Sequence, residues 1–258
     1  MEQTELVGIL NYTPDSFSDG GKYPTVETAV EHALLLQGQG AAIIDIGAES
    51  TRPGALPLTA DQEWHRLEPL LEAYTTTCGV PFSLDTYHPK TVHRAAFHFG
   101  RFIVNDVTGM NNPNMIEAVV THKLPCIISH LPGTHGQDIQ AAHRDREHLI
   151  DDEAHVYDEL LSKRAALMTA GISGEDITVD PGIGFGKTAE LNRKLLSFAR
   201  LVPNIDVMIG YSRKRFLGED RMALAPNLAA GRIAIDAGAR YLRVHDVAGH
   251  RQLLNKAA

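Results

Sequence analysis

Polar side chains stand at the ends of short apolar runs in this sequence, where they would face a bound molecule. Asp85, Asn105 and Asp180 each end such a run. A carboxylate only accepts hydrogen bonds, whereas an amide both donates and accepts them. These groups together would therefore suit a planar heterocycle rich in N–H donors. The two aspartates could instead be a general acid and base, or ligands of a hard metal ion. Each could also simply cap the helix that follows it.

Two groups of cations suggest an anion site. Residues 212–215 (SRKR) directly follow the apolar run that ends at Gly210. Near the C-terminus Arg243 and His245 are two residues apart, so on a strand they share one side. Such cations beside free backbone amides bind carboxylate or phosphate. The alternatives are a solvated basic surface for the first group and a structural role for the second.

The elements that must position these residues are eight apolar runs separated by segments of helical periodicity. The runs end at Asn11, Gly47, Asp85, Asn105, His130, Asp180, Gly210 and His245. The helical segments are 26–37, 59–73, 89–99, 112–122, 147–170, 189–200, 227–238 and 247–255. Eight strand–helix alternations predict a single-domain α/β protein over 1–258, a (β/α)8 TIM barrel with its active site at the C-terminal ends of the strands.

Length and composition support this class and exclude others. The chain has 258 residues, close to the ~250 typical of one such barrel. A net charge of −8 argues against a nucleic-acid partner, and no apolar run is long enough to span a membrane. Two cysteines and no visible signal peptide favour a reduced, cytoplasmic protein. Because the first strand starts almost at once, we expect either residues 1–4 or a large residue at the base to close the lower end of the barrel.

Several segments have weaker signals. The run 180–188 (DPGIGFGKT) is one residue short of the Walker A spacing, and we expect its three glycines around Phe185 to let the backbone approach a ligand. The long segments 12–24 and 131–146 favour loops that close over a site. The 13 histidines show no zinc-ligand spacing, so no transition-metal site is expected.

Seven segments, taken together and in order, resemble the dihydropteroate synthase family. They are GILNYTPDSFSDGG (8–21), IIDIGAESTRPG (43–54), SLDTYHP (83–89), VNDVTG (104–109), DPGIGFGKT (180–188), GYSRKRFLG (210–218) and RVHDV (243–247). The resemblance implies a Mg²⁺-dependent transferase that joins a dihydropterin-CH₂-diphosphate to p-aminobenzoate and releases diphosphate. It implies small-molecule substrates and a homodimer.

The resemblance also implies a role for individual residues. For the pterin these are Asp85, Asn105, Asp180, Lys214 and Phe185. For the diphosphate they are Asn11, Arg243 and His245, with Asn11 as the Mg²⁺ ligand. For p-aminobenzoate they are Thr51, Arg52, Pro53, Phe185, Ser212 and Arg215. The residues expected to act in catalysis are Asn11, Lys214, Arg243 and His245.

Two positions depart from the family pattern. Leu131 stands where Met is familiar, and Arg215 stands where Ser is common. Leu can still form an apolar wall under the pterin, whereas a hydroxyl contact at 215 is lost. Two rival functions stay open: a pterin-binding methyltransferase barrel, which has no use for a diphosphate site, and a catalytically silent paralogue that binds pterins or regulates another enzyme.

Overall fold

The computed structural model describes residues 3–13, 25–51, 54–132, 139–144 and 147–254. Eight strands confirm the eight predicted runs. They are β1 (Glu5–Asn11), β2 (Ile43–Gly47), β3 (Phe82–Asp85), β4 (Ile103–Asp106), β5 (Cys126–Ser129), β6 (Ile177–Asp180), β7 (Met208–Ile209) and β8 (Tyr241–Val244). All pairings are parallel, in the order β6-β5-β4-β3-β2-β1-β8-β7.

The two outer strands of this order meet, so the sheet closes. A parallel bridge joins Val179 in β6 to Val207, just before β7. The Val179 amide also donates to the Asp206 carbonyl at 2.9 Å. The predicted (β/α)8 barrel is therefore confirmed. Its shortest strand pairing is the single bridge that joins β6 to the residues before β7.

Helices occupy every segment predicted to be helical, and one further helix, α5, lies within 131–146, which was predicted to be a loop. They are α1 (Val26–Gly38), α2 (Ala60–Thr77), α3 (Pro89–Phe99), α4 (Pro113–His122), α5 (Ile139–Arg144), α6 (Glu153–Thr169), α7 (Ala189–Lys194), α8 (Leu224–Asp236) and α9 (Val247–Leu254). A 3-10 helix, Leu195–Leu201, extends α7. Within the described ranges, no helix combines the length and the apolar character needed to cross a bilayer.

One predicted helix boundary was wrong. The helix expected over 147–170 begins only at Glu153, where the Asp152 side chain accepts from the Ala154 amide at 2.9 Å. The preceding residues are extended instead, because Ile150 pairs with Lys187 in an isolated parallel bridge. Backbone pairing with the segment after β6 thus replaces the first turns of the helix.

Side-chain alternation divides each strand between the helix layer and the barrel interior. In β1, Leu6 and Leu10 pack into the large core under the helices, whereas Val7 belongs to a separate cluster inside the barrel. The interior cluster also holds Met208, packed with Tyr241. Further along the strands, the interior positions become polar.

Candidate active site

A polar network around Asp45 fills the barrel interior above this interior cluster. Asp45 lies inside β2 and is almost fully buried. Its carboxylate accepts from the Ser83 hydroxyl at 2.5 Å, from the Asn105 amide at 3.1 Å and from Arg243 Nε at 2.6 Å. Burial of a carboxylate is costly unless hydrogen bonds and a cation replace its water. Asn105 and Arg243 were predicted from the sequence, but Asp45, the residue that connects them, was missed.

Arg243 divides its guanidinium between two carboxylates. Its Nη2 donates to Asp85 Oδ2 at 2.7 Å while Nε holds Asp45. Burial alone would lower the pKa of Arg243, but Asp45 and Asp85 raise it, so the group stays charged. Burial raises the pKa of Asp85 above its ordinary value, with Arg243 opposing the rise and Asp45 adding to it. The predicted pterin residue Asp85 and the predicted diphosphate residue Arg243 are thus in direct contact.

Asp180 and Lys214 lie on either side of Gly210 at the ends of β6 and β7. A Cβ atom at Gly210 would be 3.3 Å from Asp180 Oδ2 and 3.9 Å from Lys214 Nζ, so glycine leaves this gap open. The Gly182 amide donates to Asp180 Oδ1 at 2.7 Å. Burial raises the pKa of Asp180, and the Lys214 charge opposes it. Burial lowers the pKa of Lys214 to about 8, against the pull of Asp180.

The Lys214 side chain also contacts the glycine-rich segment after β6. Its ammonium donates to the Ile183 carbonyl and lies 5.0 Å from the centre of the Phe185 ring, a cation–π arrangement. Phe185 packs beside Leu131, which is fully buried against Val107. The expected apolar wall at Leu131 is therefore present next to the aromatic ring. This places an aromatic face, an apolar wall and a cation along one side of the site.

Ser212 lies beside His245. Its hydroxyl is 3.0 Å from His245 Nδ1 and also accepts from the His245 amide at 3.3 Å. Ser212 is buried, and its hydroxyl is in contact with His245. The sequence prediction grouped Ser212 with Thr51 and Arg215 in a p-aminobenzoate subsite. Its hydrogen bonds favour a role in orienting His245 instead.

The run of three cations does not form a single anion site. Arg213 and Arg215 are exposed, and only Lys214 turns inward. Arg213 adopts φ 61°, and its amide donates to the buried Asn227 side chain at 2.9 Å. Asn227 Nδ2 in turn donates to the carbonyls of Arg221 and Ala223, just before α8, each at 2.7 Å. With this left-handed turn at Arg213, Lys214 is directed into the site while the side chains of Arg213 and Arg215 stay at the surface.

The glycine-rich segment is folded around a second buried lysine, Lys187. Its ammonium donates to the carbonyls of His130, Gly182 and Phe185 at 2.9 to 3.1 Å. A side chain at Gly182, which has φ 64°, would clash with the His130 carbonyl at 2.0 Å. This glycine therefore permits close approach to the protein's own backbone, not to a ligand as predicted.

Thr51 borders a cavity of about 650 Å³ at the same end of the barrel. The loop carrying it starts at Glu49, whose carboxylate accepts from the Tyr87 hydroxyl and lies 3.1 Å from His88 Nε2. Gln140 of α5 accepts from the Gly54 amide at 2.8 Å on the other side. Asn11 ends β1 opposite Gly47, half-buried near this loop.

Some predicted positions lie outside the described residues. These are Arg52 and Pro53 of the p-aminobenzoate subsite, residues 14–24 of the first loop, and residues 133–138 and 145–146 of the segment after β5.

The family described as pterin binding enzyme matches residues 7–245. The dihydropteroate synthase of Escherichia coli (strain K12) is 37% identical over 256 residues, covering 96% of this chain and 88% of that protein. The chain belongs to the dihydropteroate synthase family of pterin-binding enzymes.

Solved structures of this family share the fold. A Xanthomonas albilineans dihydropteroate synthase with 4-aminobenzoic acid has a TM-score of 0.85 at 36% identity, covering 99% of this chain and 92% of that one. A structure from the same organism in complex with 7,8-dihydropteroate has a TM-score of 0.82 at 32% identity, covering 99% and 93%. The dihydropteroate synthase fold thus extends over nearly the whole chain.

Proposed function

We propose that the chain transfers a dihydropterin-CH₂ group from its diphosphate ester to the amino nitrogen of p-aminobenzoate, forming 7,8-dihydropteroate and diphosphate. The observation that carries this proposal is the Arg243 contact with both Asp45 and Asp85. A permanent cation that would bind a diphosphate is thus in direct contact with carboxylates that would accept from the N–H groups of a pterin. Family membership supports the same reaction, since related structures hold 4-aminobenzoic acid and 7,8-dihydropteroate.

The pterin would lie among Asp85, Asn105, Asp180 and Lys214. Asp180 Oδ2 faces the gap at Gly210 and would accept from the ring N–H and amino groups. Lys214 would donate to the ring carbonyl or N5, leaving its present partner, the Ile183 carbonyl. Asn105 keeps its oxygen for the ring because its amide nitrogen is used by Asp45. Phe185 and Leu131 would cover the flat side.

The diphosphate would bind Asn11, Arg243 and His245. Arg243 binds phosphate through paired N–H groups, and His245 adds a donor that Ser212 helps to orient. Preorganised charge at the leaving group is commonly the largest catalytic contribution.

Mg²⁺ is compatible with this part of the site. The Asn11 amide oxygen is a hard ligand at the end of β1, and Mg²⁺ commonly uses few protein oxygens together with substrate phosphates. When bound, the ion would neutralise charge on the departing diphosphate.

The reaction would begin with cleavage of the C–O bond. The electron pair leaves with the diphosphate, held by Arg243 and His245, and the pterin ring delocalises the positive charge on its CH₂ group. The neutral arylamine nitrogen then attacks that carbon and loses one proton. Thr51, Arg52, Pro53, Phe185 and Arg215 would hold the p-aminobenzoate. Closure of the loops after β1 and β2 would exclude water, which competes for the cation.

We also propose a cytoplasmic homodimer. The two cysteines, Cys78 and Cys126, are both free, which suits a reducing compartment. Leu224 and Ile233 on α8 and Leu201 on the neighbouring 3-10 helix expose apolar surface that a second copy could cover.

The test is a reconstituted assay with the pterin diphosphate, p-aminobenzoate and Mg²⁺. We expect dihydropteroate and diphosphate to appear in equal amounts, and no dihydropteroate when p-aminobenzoate is omitted. Pterin binding without any product would support the silent paralogue. Methyl transfer from a methylated folate instead of condensation would support the methyltransferase barrel.

A further inference from the structure

His130 lies outside the barrel interior although it follows β5 directly. It continues the alternation of Cys126 and Ile128, which pack into the core beneath the helices. Its ring therefore points toward α6, where His155 and Glu159 are four residues apart and share one face of the helix. This direction excludes His130 from the proposed pterin site.

The three side chains converge on a common point. His130 Nε2 lies 3.1 Å from Glu159 Oε2, and His155 Nε2 lies 3.2 Å from Glu159 Oε1. One ligand atom from each residue lies within 4.8 Å of the others. In a tetrahedral zinc site with Zn–N bonds of about 2.0–2.1 Å, neighbouring ligand atoms are ~3.3 Å apart. The ligand atoms therefore need to move by only a small amount to bind an ion.

The hydrogen-bond pattern at His130 also points to a missing partner. The residue is completely buried, yet neither ring nitrogen makes a hydrogen bond. Glu159 Oε2 lies 3.1 Å from His130 Nε2 but makes no hydrogen bond either. Unsatisfied buried polar groups cost about 1–3 kcal/mol each. A cation between the two side chains would satisfy both.

We propose that His130, His155 and Glu159 form a binding site for one Zn²⁺ ion. Two imidazoles and one carboxylate are a ligand set that zinc prefers, and they leave a fourth position for water. His155 is about half exposed, at 49%, so the ion has a route from solvent. The sequence showed no such spacing because the two histidines are 25 positions apart in the chain.

An ion at this position would affect the structure of the proposed active site. The His130 amide donates to the Asp180 carbonyl at 2.9 Å, and the His130 carbonyl accepts from Lys187 at 3.1 Å. Zinc at His130 would therefore tie α6 to the strand ends that carry Asp180. The charges of Lys163 and Lys187 act on His130 and oppose a cation, so we expect moderate affinity.

A second histidine pair provides a matched control. His93 Nδ1 lies 2.9 Å from His122 Nε2, and His93 Nε2 lies 3.2 Å from Glu117 Oε2. These partners occupy opposite sides of the His93 ring, so they cannot meet at one ion. Loss of His122 removes the same residue type without touching the proposed zinc site.

The test is zinc binding by the full-length chain, which does not depend on the proposed reaction. Chelator-treated protein is titrated with Zn²⁺ against a chromophoric chelator, in excess Mg²⁺, and with Co²⁺ to detect tetrahedral coordination by its visible absorption. We expect one ion per chain. His155→Ala and Glu159→Gln should each lower zinc affinity at least ~10-fold, the smaller end of what even outer-shell changes cause.

His122→Ala should bind zinc like the parent protein. His155 and Glu159 are partly exposed, so both variants should fold, which circular dichroism and thermal unfolding would verify. Zinc should also raise the Tm of the parent but not of Glu159→Gln. The proposal is overturned if the parent binds no more zinc than His155→Ala, or if His122→Ala loses as much affinity.

Discussion

Arg243 Nε donates to Asp45 at 2.6 Å across strand β1, which lies between the strands that carry the two residues. This contact fixes the guanidinium before any ligand is bound. Because Nη2 of the same guanidinium donates to Asp85, the proposed pterin and diphosphate sites share one cation. An anion that engages Arg243 would weaken its hold on Asp85 and release that carboxylate for the ring.

The first prediction concerns Asp45→Asn. The asparagine keeps the shape of the side chain but lacks the negative charge that holds Arg243. Its amide nitrogen would also face one of the groups that now donate to Asp45, so that two donors would meet. A charge-assisted hydrogen bond contributes ~1.5–3 kcal/mol, so we expect kcat/KM to fall at least ~10-fold. Steady-state kinetics with both substrates varied would measure this.

The control for Asp45→Asn is Asp236→Asn. Asp236 is exposed and pairs with Arg232 at 3.7 Å on the surface of α8. Surface pairs of this kind contribute little, so its kinetics should match the parent. Equal rates for Asp45→Asn and the parent would remove Asp45 from the site.

Asp45 also shows which part of the site the sequence could predict. Strand ends were predictable because each apolar run stops at a polar residue or a glycine, and Asp85, Asn105 and Asp180 were found in this way. Asp45 lies two residues before the end of β2, within an apolar run, and so was missed. The alternation of β2 contained the signal, since Asp45 shares the inward side with Gly47.

Other differences arose from tertiary contacts that a local pattern does not contain. The segment 212–215 predicted three clustered cations, but Asn227, twelve residues later, holds a turn that separates them. Lys187 was considered only as part of a phosphate-loop pattern, whereas its role depends on three carbonyls brought together by the fold. The barrel itself was predictable because strand and helix periods repeat throughout the chain.

The second prediction concerns Asp180→Asn. The loss of a carboxylate that accepts from the pterin N–H groups should lower pterin affinity and turnover at least ~10-fold, since such a bond is worth ~1.5–3 kcal/mol. The affinity for p-aminobenzoate alone should stay near the parent value. Isothermal titration with each ligand would separate the two effects. Unchanged pterin affinity would refute the proposed role.

The third prediction compares Arg243→Ala with Arg243→Lys. Either change should weaken diphosphate binding more than p-aminobenzoate binding, as measured by inhibition constants. Lysine retains a charge but cannot bridge two carboxylates with a planar fork, so it should recover only part of the affinity. Arg243→Lys is also more certain to fold, because Arg243→Ala leaves the buried Asp45 carboxylate without its cation. Equal losses for both ligands would contradict the assignment.

The fourth prediction follows from the titration of Lys214. Burial lowers its pKa from 10.5 to about 8, so pterin affinity should decline as the pH rises through this value. The unfolded chain binds more protons between about pH 8 and 10.5, so this lysine makes the free energy of unfolding rise with pH across the same window.

Affinity and stability should therefore change in opposite directions with pH. Titration calorimetry and urea unfolding from about pH 7 to about pH 10 would measure both. Lys214→Met removes the titrating group and should flatten both pH dependences in this range. A parent-like decline of pterin affinity in Lys214→Met would show that another group is responsible.

The last prediction concerns Lys187→Met, which tests whether this lysine is structural. Methionine fills the same space but leaves three carbonyls without their donor, and an unsatisfied buried group costs about 1–3 kcal/mol. Because Lys187 itself is costly to bury, part of this loss is recovered when its charge is removed. We expect a net decrease of about 2 kcal/mol in the free energy of unfolding in urea. Lys90→Met is the matched control, since Lys90 pairs with Asp61 on the surface and should change stability by less than ~0.5 kcal/mol. If both variants unfold at the same urea concentration, Lys187 does not hold the segment after β6.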